Sequence, residues 1–135
     1  MYKLSPRKRL VSARFGRQLS FHDVQSYARS LSDDPRFDPG FSEIVDLRDV
    51  EDLAINPKET MKLADLADPF RTGAKRAFVA RTDLQMRAAR MHQLLRNDEV
   101  NIRIFQSIKD AEEWIESESS RPTLVSVPDQ SKIRA

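Results

Sequence analysis

The feature that most constrains the fold of this chain is a mostly apolar stretch at residues 41–49, which follows a turn signal at Pro39 and Gly40. Its centre carries the β-branched residues Ile44 and Val45. An apolar run of this length between helical segments is typical of a strand that is buried on both faces of an α/β sheet. The sequence therefore predicts that this stretch is the central strand and that the other elements pack around it.

Four helices are expected between and after the strands. Each begins at a residue whose side chain suits a helix N-terminus, and in three of them a capping-box partner follows three residues later. The pairs are Ser20 with Asp23, Asn56 with Glu59, and Thr82 with Gln85, and Ser107 begins the fourth helix. In the third helix apolar residues recur at the spacing of one helical face, at Leu84, Ala88, Met91 and Leu95.

Further short strands are predicted at residues 2–4, 9–15, 75–80 and 100–105. Since helices alternate with strands, the later strands should be parallel and the first should be antiparallel at a sheet edge. The sequence thus predicts an α/β fold with a four- to five-stranded mixed, mostly parallel sheet, an antiparallel edge strand and about four helices. It also predicts one domain at residues 1–116 and an extended or disordered tail at 117–135.

Composition excludes several classes of function. A chain of 135 residues with a net charge of +2 shows no general signal for nucleic-acid binding. Because cysteine is absent, disulfides, thiolate chemistry and cysteine-based zinc sites are excluded. Three glycines are too few for a glycine-rich phosphate loop. No stretch approaches the ~20 apolar residues of a membrane span, so we expect a soluble, cytoplasmic protein without a cofactor.

Several local sequences, taken in their order, resemble the SpoIIAA-like branch of the STAS domains, which are relatives of the sporulation anti-sigma-factor antagonists. They lie at residues 15–20 with Asp23, and at 44–50, 76–80, 100–105 and 110–115. Together they cover about residues 1–116. The resemblance implies a four- or five-stranded sheet surrounded by helices, as in the related Sec14-type lipid-transfer fold, and no enzymatic activity.

The resemblance also implies a regulatory module that acts by protein–protein interaction, either with an unknown partner or by self-association as a homodimer. In the antagonists a serine at the start of the helix after the central strand is phosphorylated. Here residues 49–57 contain no serine or threonine, and the carboxylates of Asp49, Glu51 and Asp52 would repel a phosphate. We therefore expect a module that lacks the usual phosphorylatable serine.

The candidate binding site lies at the carboxyl ends of the strands, where ligands of open α/β sheets most often bind. Two carboxylates near arginine and threonine side chains can hold a cation or a polar ligand. The alternative is that these residues are helix caps and solvated charges, because a capping side chain binds the N–H groups of its own helix. The six residues are Asp46, Arg48, Asp49, Arg81, Thr82 and Ser107.

The alternative function is the binding of a small apolar or lipid-like ligand. The two histidines, His22 and His92, have no serine or cysteine nucleophile placed beside them by the sequence. The sequence therefore predicts a binding protein, with no catalytic residue and no metal ligand. Aromatic and methionine side chains can line an apolar pocket, although at helical spacing they more often form a core; the candidates are Phe70, Phe78, Met86, Met91 and Trp114.

Overall fold

A computed structural model of the protein describes the backbone of residues 1–120 and the side chains of residues 1–117. The chain alternates strands and helices after an initial hairpin. In order, the elements are β1 (Tyr2–Ser5), β2 (Leu10–Arg14), β3 (Gln18–Ser20), α1 (Phe21–Asp33), β4 (Ser42–Asp46), β5 (Asp52–Ala54), α2 (Pro57–Asp65), β6 (Arg76–Val79), α3 (Asp83–Arg96), β7 (Ile102–Phe105) and α4 (Ile108–Ser120).

The main sheet has five strands in the order β1-β2-β4-β6-β7, so the apolar stretch of the sequence lies at its centre as β4. The β1–β2 pair is antiparallel and the other pairs are parallel. Ile44 and Val45 are both buried, and they face opposite sides because side chains alternate along a strand. The predicted central strand, antiparallel edge strand and mixed α/β sheet are confirmed.

The helices form two layers around the sheet. From β2 to β7 the chain steps across the sheet in one direction, and one helix joins each parallel strand to the next. Because such crossovers are almost always right-handed, α1, α2 and α3 lie on the same face. The last helix has no following strand to reach, and it packs on the opposite face against Ile44, Ala77 and Val79.

The predicted helix starts are confirmed by their hydrogen bonds. Ser20, Asn56 and Thr82 each accept a hydrogen bond from the backbone N–H three residues later, and the residue at that position bonds back to the cap. Ser107 accepts from the backbone N–H of Asp110 at 3.1 Å. These reciprocal bonds satisfy N–H groups that have no partner within the helix itself.

A second, two-stranded sheet was not predicted. The strands β3 and β5 pair in parallel, and Leu19 at the middle of β3 is buried. The backbone N–H groups of Glu51 and Asp52 both donate to the carbonyl of Arg17, at 2.7 and 2.9 Å, and so begin the pairing. Strands of three residues are too short to show a hydrophobic period, which is why the sequence indicated neither strand.

The last helix reaches Ser120, beyond the predicted end of the domain at residue 116. The remainder of the predicted tail, residues 121–135, lies outside the described residues. Among the helices of residues 1–120, none is long and apolar enough to cross a membrane.

Candidate functional site: an apolar pocket beside a buried ionic cluster

The predicted site residues at the carboxyl end of β4 form ion pairs with arginines of the same chain. Asp46 is buried and accepts two hydrogen bonds from the Arg48 guanidinium, each of 2.9 Å. Asp49 accepts from Arg14 Nε at 2.8 Å. Burial by itself would raise the pKa of Asp46, but the hydrogen bonds from Arg48 and the charge of Arg14 outweigh it and lower that pKa.

The other three predicted site residues stabilise helix starts and a loop at the same edge. Arg81 Nε donates to the carbonyl of Gln106 at 3.0 Å. Thr82 and Ser107 use their hydroxyl groups as N-terminal caps of α3 and α4. The structure therefore brings all six residues to the carboxyl edge of the sheet, where their side chains bind neighbouring groups of the same chain.

Gln85 joins the elements at this edge, and its role was not predicted beyond helix capping. Its side chain is buried and donates to the carbonyls of Arg48 and Val50, at 3.1 and 2.9 Å. Its amide oxygen accepts from the backbone N–H groups of Arg81 and Thr82, at 2.8 and 3.2 Å. One side chain thus holds the loop after β4 against the start of α3.

A buried ionic cluster lies at the opposite, amino end of the parallel strands. Glu43 on β4 and Arg76 on β6 are paired across the sheet, and both are nearly inaccessible to solvent. Arg76 Nε donates to Glu43 at 2.8 Å, and Arg76 Nη1 donates to Asp68 at 2.6 Å. Tyr27 of α1 donates its hydroxyl to the second oxygen of Glu43 at 2.6 Å. The guanidinium also lies over the ring of Phe70, 4.5 Å from its centroid.

The charges in this cluster depend on one another. Burial would lower the pKa of Arg76, but the carboxylates of Glu43 and Asp68 outweigh it and raise that pKa. For Tyr27, burial and the nearby Glu43 carboxylate both raise the pKa well above its ordinary value of 10.0. Arg76 is therefore a fixed cation and Tyr27 a neutral hydrogen-bond donor at every physiological pH.

The cluster forms part of the wall of an apolar cavity of about 90 Å³ between the sheet and the three helices on that face. The apolar lining includes Leu63 from α2, Phe78 from β6 and Ala88 from α3. Of the five residues predicted to line a pocket, Phe70, Phe78 and Met91 line this cavity. The other two predicted residues, Met86 and Trp114, are not among the lining residues, and Trp114 packs on the opposite face of the sheet.

Two polar atoms in the cavity wall are shielded from solvent and lack a hydrogen-bond partner among the described residues: His92 Nε2 and Arg96 Nε. Arg96 Nε lies 3.4 Å from Asp68 Oδ2, and the Nη1 atom of the same guanidinium donates to the carbonyl of Leu66 at 3.2 Å. The His92 ring packs on Phe78, with centroids 5.0 Å apart. Because the two residues are four apart on α3, they share one face of that helix.

His92 should make the stability of the protein depend on pH. Burial lowers its pKa well below the ordinary value of 6.5, and the charges of Arg76 and Arg96 lower it further. The unfolded chain therefore takes up a proton near pH 6.5 while the folded protein does not. As pH falls below 6.5, the free energy of unfolding should decrease, with a slope approaching about 1.4 kcal/mol per pH unit.

Urea unfolding at a series of pH values from 7.5 to 5 measures this dependence, and His92→Gln should remove it. The exposed histidine provides a matched control, because His22→Gln should leave the dependence in place. Protonation of Asp46 changes the stability of the protein only at lower pH, because the pKa of Asp46 lies below its ordinary value of 3.8. A flat stability profile for the wild-type protein between pH 6.5 and 5 would contradict a neutral His92 in the folded protein.

The sequence contained a weak signal for the ionic cluster. Glu43 interrupts an apolar strand, and Arg76 stands directly before the apolar residues of β6. A charge inside a buried strand needs an opposite charge nearby. The sequence does not show which strands are neighbours, so the pair could not be assigned before the sheet order was known.

Among the described residues, no group of three or more histidine, aspartate or glutamate side chains is arranged to hold a metal ion. In comparisons with known proteins, no family model matches the chain, and no curated protein or solved structure matches it significantly. The resemblance to SpoIIAA-like STAS domains, and the interaction module that it implies, therefore stay predictions.

Proposed function

We propose that the protein is a non-enzymatic binding domain and that its ligand is a small apolar molecule that carries an oxygen atom. The observation that supports this most directly is His92 Nε2, a shielded polar atom that has no hydrogen-bond partner among the described residues, in the wall of a mostly apolar cavity. A buried polar group without a partner costs about 1–3 kcal/mol. An oxygen of the ligand would supply the hydrogen-bond partner that His92 Nε2 lacks.

The size of the cavity limits the ligand. A dry apolar cavity of roughly 150 Å³ accommodates a benzene molecule, and the cavity here is about 90 Å³. It therefore suits a short alkyl chain or part of a ring better than a whole lipid. Among apolar and lipid-like ligands, we therefore propose molecules with a short alkyl chain.

The lining of the cavity favours binding over catalysis. Among the described residues that line it, none is a serine, threonine, cysteine or lysine whose side chain could act as a nucleophile. Its two carboxylates, Glu43 and Asp68, are both bound to Arg76, and Tyr27 also donates to Glu43. A carboxylate held in this way is poorly placed to act as a general base, because its basic oxygens already accept hydrogen bonds.

Filling the cavity should prevent binding. Ala28 lies on α1 and lines the cavity, so the larger side chain in Ala28→Leu should occupy part of the space. We expect 1-pentanol to bind at least about tenfold more weakly to this variant, which corresponds to 1.4 kcal/mol. A titration followed by ¹⁵N–¹H NMR measures the affinity through the backbone amides of Leu63 and Ala88.

The matched control is Ala64→Leu, because Ala64 is exposed on α2 and does not line the cavity. This variant should bind 1-pentanol as the wild-type protein does. The indole N–H of Trp114, on the opposite face of the sheet, provides an internal control in every titration. If the alcohol shifts no amide around the cavity, or if both leucine variants bind it equally well, the proposed site is wrong.

A further inference from the structure

The outer edge of β1 has unpaired backbone groups. Among the described residues, β1 pairs with β2 alone, because it is the first strand of the five-stranded sheet. Met1 and Arg14 exchange two hydrogen bonds of 2.8 Å through their main chains. Bonded and non-bonded pairs alternate along an antiparallel ladder, so the N–H and C=O groups of Tyr2 and Leu4 point away from β2. Within the part of the chain that the structure describes, these groups have no hydrogen-bond partner.

The side chains of β1 hold this edge in place and leave one of them accessible above it. The Tyr2 hydroxyl donates to Asp34 at 3.0 Å, and Leu4 packs against buried side chains of β2 and α1. Lys3 points to the opposite face of the sheet, where it lies across from the exposed Ser12. The edge is therefore fixed to the core, and the Lys3 ammonium stands beside it in solvent.

The hairpin of β1 and β2 carries an excess of positive charge. Residues 1–22 include six lysines and arginines, and the first acidic residue of the sequence is Asp23. Lys3, Arg7 and Lys8 are exposed, and among residues 1–117 their side chains have no ion pair or hydrogen bond. These three cations lie on β1 and on the turn that follows it.

The carboxylates of the neighbouring elements do not neutralise these three cations, because most of them are paired with arginines. Asp33, at the end of α1, has no such partner among the described residues, but it lies on the other face of the sheet from Lys3. Positive charge therefore remains in excess along the edge. The paired carboxylates are Asp34 with Arg36, Asp38 with Arg9, Glu43 with Arg76, Asp46 with Arg48, and Asp49 with Arg14.

We propose that this edge binds an acidic segment of a partner protein, which adds an extended strand beside β1. The backbone of the added strand bonds to the free groups of Tyr2 and Leu4, and its carboxylates face the lysines and the arginine of the hairpin. Side chains at every second position of a strand share one face. A segment with acidic residues at alternate positions therefore presents one of them to Lys3 and the next ones toward Arg7 and Lys8. The inference is independent of the apolar cavity.

A second copy of this chain suits the edge less well than an acidic segment does. Two β1 strands that use both Tyr2 and Leu4 pair antiparallel, with Tyr2 of one copy opposite Leu4 of the other. Lys3 then lies directly opposite Lys3 of the second copy, and like charges in that position destabilise a strand pair. A nucleic acid matches the charge of the hairpin, but it has no peptide groups to extend the ladder.

The test uses a short acetylated peptide that carries glutamate at every second position, with valine and threonine between. In a ¹⁵N–¹H NMR titration at pH 7, we expect the amides of Tyr2 and Leu4 to shift. At saturation their hydrogen exchange should slow by at least about tenfold. The Lys3 amide, which points toward β2, provides an internal reference that should change less. The same peptide with glutamine in place of glutamate should bind at least about tenfold more weakly.

Reversing one charge of the hairpin should weaken binding. Lys3→Glu places a like charge opposite a carboxylate of the peptide, so we expect the affinity to fall by at least about tenfold. Lys3 is exposed, and a ¹⁵N–¹H spectrum of the variant should show the wild-type fold. The matched control is Lys58→Glu, which makes the same change at an exposed lysine of α2 and should leave the affinity unchanged.

Each other outcome overturns a stated part of the inference. If no amide of β1 shifts, or if Lys3→Glu and Lys58→Glu bind the peptide equally, this edge is not its site. Equal binding of the glutamine peptide, or of a DNA oligonucleotide, contradicts recognition of an acidic polypeptide. Binding without slower exchange at Leu4 excludes the added strand. Slow exchange at Leu4 that appears without peptide as the protein concentration rises assigns the edge to a second copy. None of these results bears on the binding of 1-pentanol in the cavity.

Discussion

Replacing Arg76 with methionine should lower the free energy of unfolding by about 3–5 kcal/mol. The substitution keeps an extended apolar side chain of similar length but removes the guanidinium. Glu43, of which 1% is exposed, would then keep a buried charge with only the Tyr27 hydroxyl as a partner. Asp68 would lose its shortest ion pair, which is 2.6 Å long. Urea denaturation followed by circular dichroism measures the change.

A double variant shows whether the loss comes from the uncompensated charge. Arg76→Met combined with Glu43→Gln should recover part of the stability, because the neutral amide needs no counter-charge. The exposed pair of Arg17 and Glu51 supplies the control, since Arg17→Met removes an ion pair in which 83% of the arginine side chain is exposed. Ion pairs at the protein surface contribute little to the free energy of unfolding. If Arg76→Met and Arg17→Met had similar effects on stability, the buried cluster would not stabilise the fold as described.

The second large effect is expected for Gln85→Leu, which should reduce the free energy of unfolding by about 2–4 kcal/mol. Leucine has a similar volume but can replace none of the hydrogen bonds of the amide. The carbonyls of Arg48 and Val50 and the backbone N–H groups of Arg81 and Thr82 would all lose their partner. Burying unpaired backbone groups is costly, because in the unfolded chain they form hydrogen bonds with water, whereas in the folded variant they would form none.

The neighbouring glutamine on the same helix provides a comparison. Gln93 donates one hydrogen bond, of 2.6 Å, to the carbonyl of Ile102, so Gln93→Leu should destabilise the protein less than Gln85→Leu does. Urea denaturation at pH 7 gives both values under the same conditions. A smaller loss for Gln85→Leu than for Gln93→Leu would mean that the loop after β4 does not depend on this side chain.

Much of the fold could be predicted from local sequence. The apolar stretch around Ile44 and Val45 indicated the central strand, and the pairs at Ser20, Asn56 and Thr82 indicated three helix starts. These signals are local, because a strand needs a short apolar run and a cap needs a side chain three residues from its partner. The small sheet of β3 and β5 carries no such signal, since its pairing begins at the carbonyl of Arg17.

The candidate site was only partly predictable. The general rule for open α/β sheets led to the carboxyl edge, where Asp46, Thr82 and Ser107 instead bind groups of their own chain. Phe78 and Met91 were correctly expected among residues that can line a pocket. His92 could be noted as one of two histidines, but its burial between Phe78 and two arginines depends on how α3 packs on the sheet.

The sequence by itself determined the five strands of the main sheet, the four helices, their order, and the alternation of side chains between the two faces along each strand, because these depend on local spacing. Only the tertiary structure decided which strands are neighbours and in what register. That register places Glu43 directly opposite Arg76, although the two residues are 33 positions apart in the chain. The ionic cluster and the cavity beside it both follow from this long-range pairing, for which local patterns carry no information.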